Sequence, residues 1–149
     1  MLIPDGTSMD VISLSRWYKF GICDQDACWL NIDPYICGLV KTHSSDAPIG
    51  DSAPTGSTYA TGYLSQSGFV ATYPASSGKA RDLVTVDPTR SYQPMYTILE
   101  AAKLSGKSTG LVVTCQFTHA TPADFSAHTP DRDKYFDIAK QMVYNRLNV

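Results

Sequence analysis

A serine follows an aspartate at the mouth of a run of small residues, Gly50-Asp51-Ser52-Ala53-Pro54-Thr55-Gly56-Ser57-Thr58-Tyr59-Ala60-Thr61-Gly62. The run reads as a helix closed by Gly62, because glycine takes the left-handed conformation that ends helices at little cost. The first turn of a helix offers unpaired N–H groups and the positive end of the peptide dipoles. Both favour anions, phosphate included. A hydroxyl held there is a candidate nucleophile, provided something lowers its pKa. The plainer alternative for Ser52 is an N-cap, a common role for serine.

Three further segments carry chemistry-bearing residues. The chain opens Met1-Leu2-Ile3-Pro4-Asp5-Gly6, an apolar strand end running into a carboxylate. Later it reads Thr118-His119-Ala120-Thr121-Pro122-Ala123, a loop that precedes Asp131-Arg132-Asp133. Each residue also has an ordinary alternative: Asp5 as a turn residue before Gly6, Thr121 as an extended residue before Pro122, Arg132 as a solvated surface charge, His119 as a polar loop residue. His43 and His128 carry no motif and are assigned to structure. Cys23 and Cys28 share a polar loop and could pair in an oxidising compartment. Cys37 and Cys115 lie in apolar runs and read as buried, inert thiols. Cys-x4-Cys without a second pair does not support a zinc site.

The elements that must position these residues alternate between strand and helix. Residues 8–20 read as a helix with Val11, Leu14 and Tyr18 on one face. Residues 35–40 read as a short strand. Residues 64–91 read as a surface excursion with strand-like pieces at 69–73 and 83–86. Residues 94–105 form a helical pattern, with Pro94 at its first position and Gly106 as its stop. The continuous apolar run at 110–115 reads as a strand buried on both faces of a parallel sheet. Residues 133–145 close the chain with a helix carrying Tyr135, Ile138, Ala139 and Met142 on one side. The alternation predicts an α/β fold, a doubly wound, mostly parallel sheet with helices on both faces. Ligands bind such sheets beyond the carboxyl ends of the strands, where Asp5, Ser52 and His119 would converge.

Composition sets outer bounds. The 149 residues carry a formal net charge of −2 and are 43% hydrophobic, ordinary for a domain with a real core. The charge balance gives no case for nucleic acid or a membrane surface. No apolar run approaches the roughly 20 residues of a membrane span, and the first residues lack the charged and apolar regions of a signal peptide. Residues 1–149 read as the N-terminal part of one longer catalytic domain. Only a short apolar stretch precedes Asp5, and the chain stops directly after a helical pattern.

Taken together, Asp5-Gly6, Lys41-Thr42, Asp51-Ser52-Ala53, Ile98-Leu99-Glu100-Ala101-Ala102-Lys103, Gly106-Lys107-Ser108-Thr109-Gly110, His119-Ala120-Thr121-Pro122-Ala123 and Arg132 resemble the alkaline phosphatase family, over nearly the whole chain. The resemblance implies metal-dependent hydrolysis of small phosphate monoesters through a phosphoserine intermediate on Ser52. Arg132 binds the phosphate and Asp51 orients Arg132. Asp5, Ser52 and Thr121 match metal ligands, and His119 shapes the surroundings of the magnesium site without binding the ion. The resemblance further implies two Zn²⁺ and one Mg²⁺, a periplasmic or extracellular location, and a homodimer of the full-length protein. Family members complete their metal sites with Asp, His and Glu residues from the C-terminal half, so this truncated stretch is expected to be inactive alone.

Two other readings compete. A phosphodiesterase of the same superfamily more often carries threonine as nucleophile and lacks the clamping arginine. The sulfatase pattern needs an arginine where Gly56 stands. A non-catalytic or truncated binding domain is the alternative from another class, supported by the missing C-terminal ligands.

Overall fold

The computed structural model describes residues 1–22, 28–76, 82–145 and 147–148. They belong to two compact units, residues 1–41 and residues 42–149.

In the first unit, helix α1 spans Met9–Phe20. Ser8 caps it by accepting from the Val11 N–H at 3.4 Å, and Gly21, with φ of 69°, ends it. None of its residues is buried, and Val11, Leu14 and Tyr18, the expected packed face, are exposed. What fastens α1 is polar. The Arg16 guanidinium donates to both Asp33 carboxylate oxygens at 2.5 and 2.8 Å, and also to the Cys28 carbonyl. Asp33 starts a 3-10 turn, Asp33–Tyr35, and also accepts from the Leu30 N–H at 2.7 Å. The hydrogen bond from Arg16 holds the Asp33 carboxyl below its ordinary range. Residues 36–40 form no strand, and Cys37 is exposed rather than buried. Cys28 is disulfide-bonded; Cys23, and with it the expected Cys23–Cys28 pairing, lies outside the described residues.

The second unit is built on helix α2, Ser52–Thr61, closed by Gly62 at φ 77°. Its sequence is a poor helix former by propensity, with glycine, serine, threonine and an early proline. Pro54 is tolerated because first-turn N–H groups have no partner within the helix. The other small residues serve packing. Ala53, Gly56, Ser57 and Ala60 are buried, and α2 packs on helix α4, Ala120–Ala123, and to a lesser extent on helix α3, Ile98–Leu104. A Cβ on Gly56 would stand 2.2 Å from Asp124 Oδ2, so a larger residue there would collide with the Asp124 carboxyl. Val70, Ala120, Ala123, Ala127 and two residues of helix α5 (Tyr135–Tyr144), Ile138 and Met142, complete the core, with Leu111 and Leu147 packed at its edge.

The parallel sheet is not formed among the described residues. Their only pairings are isolated antiparallel bridges, Val70 with Thr129 and Thr72 with Pro94. An apolar run becomes a strand only when neighbours accept its backbone hydrogen bonds. Residues 110–115 have no such neighbour here; Val112 is 90% exposed, and Cys115 is exposed rather than buried. Within residues 64–91, Phe69, Val70, Ala71 and Thr72 are buried, while Leu83 is exposed. Pro94 does not start a helix. α3 begins four residues after it, behind a Thr97–Glu100 capping box whose Thr-x-x-Glu signature is plain in the sequence.

His128 ties these pieces together. Its Nδ1 lies 2.9 Å from the Ala71 carbonyl and its Nε2 lies 2.9 Å from Glu100 Oε1. Both partners are acceptors, so the imidazolium form, in which both ring nitrogens donate, satisfies both contacts. Ala71 is held at φ 37°, a strained value for a residue with a Cβ. Its carbonyl also accepts from the Met95 N–H at 2.8 Å. Burial pushes the His128 pKa down, but the bonds to Glu100 and Ala71 outweigh it and raise the value above 6.5. Burial pushes Glu100 up, and its bonds from His128 and Thr97 reverse this to below 4.5. The histidine contribution is whole below its unfolded value and is lost as pH rises through the raised folded one. The carboxylate contribution is lost as pH falls. The pair therefore stabilises most between pH 4.5 and 6.5. Glu100→Gln is expected to cost about 1–3 kcal/mol near pH 6 and progressively less at alkaline pH. Chemical denaturation of both proteins across pH checks this; a pH-independent difference contradicts it.

Candidate active site

Ser52 is the first residue of α2, and Asp51, one residue earlier, holds the N-cap position with extended backbone. Ser52 is thus within the first turn rather than the cap. The approach to this turn is rigid. The Gly50 N–H donates to the Thr42 carbonyl at 3.1 Å, and a Cβ on Gly50 would lie 2.5 Å from that same oxygen. Asp51 gives α2 no side-chain cap, because its carboxylate is used elsewhere. Oδ2 accepts from Arg132 Nη1 at 2.6 Å, and Oδ1 accepts from the Gly68 N–H at 3.3 Å.

Arg132 comes from the loop before α5. Its own N–H donates to the Gly68 carbonyl at 2.8 Å, so Gly68 anchors both halves of the pair. The second nitrogen, Nη2, lies 3.2 Å from His119 Nε2. A guanidinium has no acceptor, so His119 Nε2 must accept and its ring proton sits on Nδ1. The Arg132 side chain is 25% exposed and that of Asp51 38%. The cation is thus fixed on two sides yet open to solvent, the condition for meeting an anionic ligand.

His119 is the N-cap of α4, and Thr121 lies inside that helix rather than in an extended loop. Pro122 is accommodated because it falls within the first turn, where its missing N–H costs nothing. The second unit therefore gathers Asp51, Ser52, His119 and Arg132, with Thr121 the second residue of α4. Asp5 belongs to the first unit. It sits in a turn in which the Thr7 N–H reaches the Pro4 carbonyl at 3.2 Å, with Gly6 at φ 70°.

Sequence reading missed two residues beneath the site. Asp124 is fully buried, and Oδ1 lies 2.8 Å from Ser57 Oγ. The signal was a carboxylate among small apolar neighbours, Pro122-Ala123-Asp124-Phe125-Ser126-Ala127, opposite a Gly-Ser pair on α2.

Metal donors fit less well. Among the described residues, no three His, Cys, Asp or Glu side chains come together to hold a metal ion. A catalytic zinc takes three protein ligands, so Asp5, Ser52 and Thr121 do not make such a site on their own.

The alkaline phosphatase family model matches residues 1–147. An alkaline phosphatase of Schizosaccharomyces pombe is 32% identical over 143 residues, 96% of this chain and 24% of that protein. Alkaline phosphatase 4 of Bacillus subtilis is 35% identical over 150 residues, 99% of this chain and 29% of that protein. Among solved structures, a cold-active alkaline phosphatase from a psychrophilic Shewanella superposes with a TM-score of 0.77 at 28% identity, over 97% of this chain and 33% of that one. The chain belongs to the alkaline phosphatase family, and its fold is alkaline phosphatase-like. It spans about a quarter of the length of the curated relatives it matches.

The Asp51–Arg132 pair is partly solvated, so its value to stability is small. Asp51→Asn and Arg132→Ala are each expected to cost about 0.2–1 kcal/mol, and the double variant no more than the larger of the two. Denaturant titration of the four proteins measures this; additive losses would show that the residues do not act as a pair.

Proposed function

We propose that this chain carries the nucleophile-bearing part of a phosphate monoester hydrolase. The observation that carries the reading is the fixed Arg132 guanidinium, held by the carboxylate of the residue directly before Ser52. A phosphate dianion bound there meets a cation and the N–H groups of the α2 N-terminus together. Ser52 Oγ then attacks phosphorus in line. An O–P bond to the serine forms, the ester O–P bond breaks, and the alcohol leaves with a proton. Water hydrolyses the phosphoserine in a second displacement and returns the hydroxyl. Asp51 and His119 hold the guanidinium so that little reorganisation is needed as charge spreads over the phosphoryl oxygens.

Family membership supports this chemistry, and the relatives are named for it. One solved relative, a variant of the Antarctic bacterium TAB5 enzyme at 27% identity, has Mg bound in its M3 site. For this chain we infer two zinc ions and one magnesium in the full-length protein, with Asp5, Ser52 and Thr121 among the ligands and the others supplied by further chain. Among the described residues no helix is long and apolar enough to cross a membrane, and a periplasmic or extracellular location belongs to the same reading.

Two experiments test it. In the full-length protein, acid quenching during turnover of an aryl phosphate is expected to trap phosphate on Ser52, found by peptide mass spectrometry. Ser52→Ala is expected to lower turnover by at least about a thousandfold; undiminished turnover in that variant would sink the assignment. The isolated chain, given zinc and magnesium, is expected to show no Ser52-dependent turnover, and metal-dependent, Ser52-dependent activity contradicts this.

A further inference from the structure

Ser57 Oγ has three hydrogen-bonding neighbours and one proton. It accepts from the Ala71 N–H at 2.7 Å, lies 3.2 Å from the Phe69 carbonyl and lies 2.8 Å from Asp124 Oδ1. A serine hydroxyl can donate once and accept twice. The Phe69 carbonyl can only accept, so it must take the one serine proton if it is to be satisfied by this group. The remaining contact then requires a donor on Asp124. An ionised carboxylate has none; a carboxylic acid protonated on Oδ1 does. With that proton in place, every contact around Ser57 Oγ pairs a donor with an acceptor.

The other carboxyl oxygen agrees. Asp124 Oδ2 is buried with no hydrogen-bond partner, facing the bare backbone of Gly56. A buried carboxylate oxygen left without a donor is far more costly than the carbonyl oxygen of a neutral acid. The charged groups around it do not reverse this. Arg132 favours the anion and Asp51 opposes it, and these two are paired with each other. No charged residue is contributed by buried residues 69–71 or by the facing stretch of α2, Ala53 to Ala60.

We propose that Asp124 is a neutral carboxylic acid whose O–H donates to Ser57 Oγ, a protonated latch joining the helix that carries Ser52 to the helix that carries Thr121. Asp124 is a positioning residue: it acts through Ser57 and the spacing of α2 and α4. The inference rests on geometry alone and holds whether or not the phosphatase reading does. It also matches the direction of the Asp124 pKa: burial drives it well above the ordinary carboxyl value, against the Ser57 and Ala71 N–H contacts, which favour the anion.

The test is a pH profile of folding. An aspartic acid neutral in the folded chain and ionised in the unfolded one weakens folding as pH rises above the unfolded value of 3.8, up to the raised folded value. Asp124→Asn keeps the shape and a donor but cannot ionise. The ratio of the Asp124→Asn folding constant to that of the native chain is expected to rise about tenfold per pH unit across that range. His128 and Glu100 are present in both proteins and cancel. A ratio flat with pH would overturn the proposal. Should the asparagine variant fail to fold, infrared spectra of the native chain with isotope-labelled aspartate decide. A protonated-acid carbonyl band at pH 7 that is lost or shifted in Ser57→Ala supports the latch, and its absence from the native chain refutes it.

Discussion

The second unit depends on how closely α2 and α4 approach. At Gly56 the gap is too narrow for a single methyl group, because Asp124 Oδ2 already stands where a Cβ would be. The composition of α2 follows from this constraint. Glycine, serine and threonine weaken an isolated helix, yet their small size leaves room for the Asp124 carboxyl against α2. A glycine inside a helix costs roughly 1 kcal/mol relative to alanine. The sequence accepts that cost where a larger residue would force the helices, and the site above them, apart.

Polar contacts then give the packed pair its orientation. Ser57 reaches from α2 to residues 69–71 and to Asp124. The strained Ala71 passes the restraint on to His128, which reaches Glu100 on α3. Buried polar groups are costly when unpaired and specific when paired. This network therefore allows one arrangement of α2, α3, α4 and the 69–72 segment. The site sits at its edge. Gly68, directly before the buried segment, binds both Asp51 and Arg132 through its backbone. The Arg132 guanidinium, 81 residues further along the chain than Asp51, is thereby fixed against the start of α2.

The Gly62 stop and the Asp51-Ser52 and His-Ala-Thr-Pro motifs were legible because they are local. A cap or a left-handed terminus depends on one or two residues and their own backbone. The strands were not legible in the same way. Residues 110–115 have the composition of a buried strand, but composition cannot supply the neighbouring backbone that makes one. The same reason exposes Cys115. The Thr97–Glu100 box was available in the sequence and was passed over for Pro94, whose fixed φ suits a helix start but equally suits the bridge to Thr72.

The sequence alone determined which residue types could handle phosphate and the order in which they come, since motifs are properties of neighbours along the chain. It also determined family membership, through matches spread over residues 1–147. Only the tertiary structure decided that Arg132 rests on Asp51 and His119, that His128 lies between Glu100 and the Ala71 carbonyl, and that Asp124 lies sealed against Gly56. Those facts turn on which donor faces which acceptor across the fold. Distance between side chains far apart in sequence is set by packing, and packing is what a linear reading cannot contain.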